Sequence, residues 1–114
     1  MKRGEVYDVR LDPIEGSEQG GIRPVVIVSR DVINDRSSVV LAVPCTTYRQ
    51  GKRVYPTQVL VSAPEGGLSQ DSIAMADQVR VLAKSRFLRC RGCLKEATIA
   101  QLNQALMIAL DLDS

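Results

Sequence analysis

The sequence predicts a mainly β fold: a small, partly open barrel or twisted sheet of short antiparallel strands, closed by one C-terminal amphipathic α-helix. Three observations predict it. Short apolar or alternating segments recur about every 10 to 18 residues along the chain. Turn-forming residues such as Asp12-Pro13 and Gly20-Gly21 separate several of them. Only the last segment, from Thr98 onward, changes to a helical period. At 114 residues, 45% apolar and 25% charged, the chain fits one globular domain over 1–114. A chain of this size buries about 60 to 70% of its unfolded surface, enough for a core without disulfides or a structural metal.

Glu5 to Leu11 alternates, with Tyr7 and Val9 on one side, and ends at Asp12-Pro13, as a first strand does. Glu15 to Arg23 is too polar and glycine-rich for a core element and reads as a loop. Pro24 to Val28 is a continuous apolar run, the pattern of a strand buried on both faces. Ser29 to Ser38 is a connector with room for a turn of helix. Val39 to Val43 is a second buried strand, expected to stop at Pro44, and Thr57 to Val61 is a fourth strand after the basic loop Tyr48 to Tyr55. From Ile73 the chain alternates, with Ile73, Met75, Val79 and Val81 on one parity and Asp77 among them. Phe87 to Leu94 is a last strand. In the tail, Ile99, Leu102, Leu106, Ala109 and Leu110 recur at helical spacing, and Thr98 with Gln101 resembles a capping box. A second stripe, Ala105, Ile108 and Leu112, leads us to expect the helix to pack on its own sheet and on a partner subunit.

Composition excludes several mechanisms. With no His, the chain cannot use Ser-His-Asp or Cys-His triads, His-pair ribonuclease chemistry, or metal sites that need imidazole. No run of 18 apolar residues occurs and the first ten are polar and charged, so a cytoplasmic protein with no membrane partner is expected. Three cysteines, Cys45, Cys90 and Cys93, fit a reducing compartment better than a disulfide framework. Cys90-Arg-Gly-Cys93 lacks the second pair that zinc needs and the βαβ setting of a redox motif. With 15 basic and 13 acidic residues, the net charge of +2 is too small to imply a nucleic-acid partner, so the placement of charge matters more.

Three segments carry candidate chemistry. Gly16 to Pro24 sets Ser17, Glu18, Gln19 and Arg23 close together on a glycine-rich backbone, which suits a phosphate or oxyanion site and equally suits an ordinary solvated loop. Cys45-Thr46-Thr47 projects hydroxyls at a strand end, where turn hydrogen bonding is the plainer use. Tyr48 to Tyr55 interleaves two aromatics with Arg49, Lys52 and Arg53, the pairing that stacks bases and holds phosphates, or else a solvated loop. A further cationic run, Arg80, Lys84, Arg86, Arg89, Arg91 and Lys95, contains no acid; it is either a footprint for nucleic acid or the outer face of an edge strand. Asp77 is either a hydrogen-bonded structural carboxylate or a site group.

The run Gly16-Ser-Glu-Gln-Gly-Gly-Ile-Arg23-Pro24 resembles the first loop of the MazF/PemK (Kid-like) toxin endoribonucleases, Gly-Ser-Glu-Gln-x-Gly-x-Arg-Pro. Val43-Pro-Cys-Thr-Thr47 is similar to that family's second active-site strand end, and Asp71 to Val79 to its third characteristic strand. The resemblance implies an SH3-like barrel, usually a homodimer. It implies metal-independent, cofactor-free cleavage of single-stranded RNA, chiefly mRNA, restrained by a cognate antitoxin. Carried over by position, it makes Arg23 and Thr46 catalytic, with Glu18 assisting. It sets Ser17, Gln19, Thr47, Tyr48, Arg49, Lys52, Arg53 and Gln78 on the RNA. The expected products are a 2′,3′-cyclic phosphate and a 5′-hydroxyl. Two alternatives keep the same architecture without cleavage: a CcdB-like gyrase-binding toxin and a peptide-binding SH3-like adaptor.

Overall fold

The computed structural model describes residues 1–11 and 21–112, in which seven antiparallel strands and two α-helices are found. In chain order they are β1 (Glu5–Arg10), β2 (Ile22–Ile27), α1 (Asp31–Arg36), β3 (Val39–Thr47), β4 (Gln58–Val61), β5 (Ser72–Met75), β6 (Arg80–Ala83), β7 (Phe87–Cys93) and α2 (Glu96–Ala109). Short 3-10 turns at Glu65–Gly67, Ala76–Gln78 and Lys84–Arg86 join the later strands. The open sheet runs β4-β5-β3-β2-β1-β7, with β6 also on β3. No helix of the described residues is long and apolar enough to cross a membrane.

Successive strand residues face opposite ways, so an apolar run feeds two cores. Val6, Val26 and Val43 enter one cluster with Val59, Val61, Ala74 and, from α2, Leu102 and Ala105. Val9, Val25 and Ala42 enter a second with Leu11 and Leu82, against which Tyr7 and Phe87 pack. This double burial accounts for the apolar run of β2 and for Ala42 to Cys45 of β3, whereas Val39 and Leu41 are exposed, so the first half of β3 is buried on one face only, contrary to the expectation for Val39 to Val43.

Three further expectations are corrected. Strand β3 does not stop at Pro44 but runs on to Thr47. Its edge away from β2 pairs with β6 through Ala42 and with β5 from Cys45, so Pro44 falls in the gap between these partners, where a missing N–H deprives neither of a bond. The alternation from Ile73 to Val81 is broken by the turn Ala76–Gln78. Val81 and Asp77 are therefore exposed, whereas all four residues of β5 are buried. Thr98 does not cap α2; it is buried inside the helix, which begins at Glu96 after Lys95. The Lys95 N–H donates instead to Glu65 Oε2 at 2.9 Å, a carboxylate delivered from a distant turn. On α2, Ala105 turns inward, while Ile108 and, just past the helix end, Leu110 and Leu112 stay exposed.

Candidate active site

Strands β2 and β3 pair over only three residues, Val25↔Pro44, Val26↔Val43 and Ile27↔Ala42. Beyond Val25 they part. Strand β2 continues along β1 out to Ile22, paired with Arg10, while β3 turns to β5 and pairs Thr46 with Ile73 and Thr47 with Ser72. Arg23 lies two residues beyond Val25 and Thr46 two beyond Pro44, so strand alternation gives both side chains the parity of that last pair as the strands diverge into a fork. Arg23 is exposed and Thr46 half-buried. A guanidinium and a hydroxyl at the mouth of a cleft are donors matched to phosphoryl oxygens, and Arg stays charged at any relevant pH. Thr47, one residue on, faces the other way.

Ser17, Glu18 and Gln19 lie outside the described residues. The site's flank is tied where the chain resumes: the Leu11 N–H donates to Gly21 O at 2.7 Å, and Gly21 has a positive φ of 71°. A Cβ there would meet nothing within 4 Å, so backbone conformation rather than space favours glycine.

The basic loop leaves directly from the strand end that carries Thr46 and Thr47. The Tyr48 N–H donates to Asp71 O at 2.8 Å, prolonging the β3–β5 ladder by one bond. Arg49, Lys52 and Arg53 are exposed around a turn in which Lys52 N–H donates to Arg49 O, with Gly51 at φ 88°. The Arg53 guanidinium lies 4.9 Å from the Tyr55 ring centroid, a cation–π pair that presents charge and ring together. The fold thus gathers Arg23, Thr46, Thr47 and this loop at one end of β3. Gln78 sits elsewhere along the pairings, in a turn that packs on β3 and α2, five residues past the Ile73 that pairs with Thr46.

The second cationic run is largely committed to the fold. Asp8 of β1 receives Arg89 Nε at 2.9 Å and Arg91 Nη1 at 3.1 Å, and Arg91 also donates from Nε and Nη2 to Gly67 O at 3.1 and 3.0 Å. Arg86 donates to Arg10 O. Burial pushes the Asp8 carboxyl up, but the hydrogen bonds and charges of Arg89 and Arg91 outweigh it and hold Asp8 below the usual value. The run contained no acid in sequence because its acid comes from another strand.

Cys90 and Cys93 pair with Tyr7 and Glu5 across a bulge that sets them on one face of β7. No group of three or more potential metal ligands is gathered among the described residues. Burial pushes the Cys45 thiol up to about 12, leaving it an apolar filler beside the site.

Sequence reasoning missed one feature. On the face of the fork opposite Arg23 and Thr46 lies a cavity of about 230 Å³. Pro24, Thr47, Leu68 and Ser72 line it, together with Ser69, Gln70 and the clamped Arg91. Its only signal in the sequence was the polar stretch Ser69-Gln70-Asp71-Ser72 ahead of a buried strand.

Comparison with known proteins agrees with this geometry. Residues 2–110 match the family model described as "PemK-like, MazF-like toxin of type II toxin-antitoxin system". The chain is 44% identical over 117 residues to endoribonuclease MazF9 of Mycobacterium tuberculosis, covering 98% of each. It is 39% identical over 112 residues to endoribonuclease MazF of Staphylococcus saprophyticus, covering 98% of this chain and 92% of the relative. Among solved structures, it is similar to a mycobacterial endoribonuclease in complex with its cognate antitoxin, with a TM-score of 0.82, 31% identity and coverage of 100% and 98%. MazF from Deinococcus radiodurans superposes with a TM-score of 0.82 at 26% identity, covering 98% and 97%.

Proposed function

Because the chain belongs to the PemK-like, MazF-like toxins of type II toxin–antitoxin systems and is an endoribonuclease, we propose that it cuts single-stranded RNA, chiefly mRNA, at short sequences without a metal ion. The gyrase-binding alternative draws no support from relatives whose names are those of ribonucleases. The observation that supports the chemical reading is that Arg23 and Thr46 each lie two residues beyond the last β2–β3 pair, Val25↔Pro44, on matching strand parity.

RNA supplies the nucleophile. The 2′-oxygen attacks the adjacent phosphorus as its proton is lost to a base, and the 5′-oxygen leaves and takes up a proton. The products are a 2′,3′-cyclic phosphate and a 5′-hydroxyl. Arg23 binds the phosphoryl oxygens and offsets the charge that builds on them. Because a guanidinium does not give up its proton at neutral pH, Arg23 acts by electrostatics rather than as a literal acid. Thr46 donates its hydroxyl to the same group. Glu18 is the carboxylate assigned as base; a carboxylate is intrinsically a weak base at neutral pH, so positioning and charge stabilisation supply most of the acceleration.

Tyr48, Arg49, Lys52 and Arg53 carry the strand onward by stacking and phosphate contact, with Ser17, Gln19, Thr47 and Gln78 as further RNA contacts. A cognate antitoxin binds and restrains the enzyme, a reading supported by the mycobacterial endoribonuclease solved in complex with its cognate antitoxin. The chain works in the cytoplasm as a homodimer, a reading supported by the exposed Ile108, Leu110 and Leu112; sedimentation at twice the 12.5 kDa chain mass checks it.

Incubation with mixed-sequence RNA in excess EDTA tests the central reading. Wild type is expected to cut and leave cyclic-phosphate ends, and Arg23→Ala to lose about 1,000-fold in rate with its melting curve unchanged. Magnesium-dependent cutting, or a fully active Arg23→Ala enzyme, refutes it.

A further inference from the structure

The cavity on the opposite side of the fork has a shape and chemistry of its own. Pro24 and Leu68 supply apolar surface, and Leu68 belongs to the main core. The remaining wall is polar: hydroxyls of Thr47, Ser69 and Ser72, the Gln70 amide and Arg91. A small apolar surface beside a wall of mixed donors and acceptors suits a heterocycle whose edge is polar. A volume of about 230 Å³ falls below the ~300–1,000 Å³ of clefts for drug-sized ligands and leaves room for one such ring.

Charge argues against a phosphate here. Among the described residues of the lining Arg91 is the only charged one, and its guanidinium is engaged on Asp8 and on Gly67 O. Asp8 neutralises it, so the wall offers fixed, nearly neutral hydrogen-bonding groups. The wall is also pre-set. Asp71 Oδ1 accepts from Ala63 N–H at 2.9 Å, Asp71 O accepts from Tyr48 N–H, and the Ser72 hydroxyl donates to Gln70 O at 2.9 Å. These bonds pin Ser69 to Ser72 between the end of β3 and the turn after β4.

The cavity touches the catalytic strands at Pro24 and Thr47, each the immediate chain neighbour of Arg23 or Thr46 and about 3.8 Å from it by Cα. We propose that this cavity is a base-specificity subsite: it holds the nucleobase of one nucleotide adjoining the cleaved phosphodiester, and Ser69, Gln70 and Ser72 read its edge. The inference rests on the ribonuclease reading above, and its test separates the two.

The first arm compares cleavage-site profiles on a randomised RNA pool for wild type and for Ser69→Ala/Gln70→Ala, two exposed positions whose loss leaves the core untouched. The variant is expected to lose about 10-fold in discrimination between bases at one position beside the cut, with the other positions unchanged. The second arm needs no catalysis: Arg23→Ala protein is titrated with adenosine, guanosine, cytidine and uridine while the amide signals of Thr47, Ser69, Gln70 and Ser72 are followed by NMR. Saturable shifts there, differing among the four nucleosides and abolished in the Ser69→Ala/Gln70→Ala background, support the subsite. Nucleoside binding at these residues together with a wild-type protein that cuts no RNA would overturn the ribonuclease reading and leave the subsite standing. Specific cleavage with an unaltered profile in the variant and no shifts at these residues would overturn the subsite alone.

Discussion

At the scale of single residues, the sharpest question is which of two adjacent threonines does the chemistry. In a strand, neighbours point to opposite faces, so Thr46 and Thr47 are expected to meet different parts of a bound RNA. Strand parity beyond the last β2–β3 pair favours Thr46 on the side of Arg23, and Thr47 lines the polar cavity. Thr46→Ala is therefore expected to lower the cleavage rate on the best RNA sequence about 10- to 100-fold, and Thr47→Ala less than about 10-fold. Single-turnover kinetics on a defined oligonucleotide measure both, and the reverse ranking would mean that the catalytic hydroxyl is Thr47. Asp77 shows how parity misleads across a turn. It shares its sequence parity with Ile73 and Met75, yet a 3-10 turn places it in solvent.

At the scale of elements, the pieces that shape the site are tied by contacts between distant segments. The turn Glu65–Gly67 is the clearest case. Glu65 meets the start of α2, and Gly67 O anchors Arg91 of β7. Gly67 has a φ of 72°, and a Cβ there would lie 2.1 Å from Arg91 O. Gly67→Ala is expected to destabilise the protein by about 2–4 kcal/mol in urea denaturation, combining left-handed strain with a backbone clash. Gly51→Ala is the control: its φ of 88° carries the strain, but nothing lies within 4 Å of the added carbon, so a loss of about 1 kcal/mol is expected. Equal losses would show that the clash at Gly67 is relieved at no cost.

At the scale of the whole molecule, charge and titration set the working range. The Asp8 carboxyl is depressed in the folded state, so its pairing with Arg89 and Arg91 adds stability above the unfolded carboxylate value, and that contribution is lost as pH falls through the folded one. Thermal melts from about pH 6 down to pH 2 are expected to show a shallower acid decline for Asp8→Asn than for wild type. Parallel declines would remove Asp8 from the account. With no histidine in the chain, the rate of RNA cleavage is expected to show no inflection near the imidazole value of about 6.5. An inflection there would require some other group to be strongly shifted, and would reopen the assignment of acid and base.

Much of this molecule was legible in one dimension. Hydrophobic runs and alternation located the first, second and fourth strands and the last one, because a strand's inward face must be apolar wherever it meets a core. The turn of helix after Ser29 and the terminal helix were legible as well. Arg23 and Thr46 stood out only through the resemblance of their motifs to the MazF/PemK family, because taken alone a solvated loop and a strand-end turn explain them equally well. What only the tertiary structure decided is relational: that β3 passes through Pro44 because its partner changes there, that Arg23 and Thr46 lie beyond the same strand pair on matching parity, and that Asp8 answers a cationic strand more than 80 positions away. The polar cavity belongs with these, because its wall is assembled from four separate stretches of chain. Local pattern reports which way a side chain must face, whereas a site is made by the register between strands, and register is set by long-range pairing that no window of sequence contains.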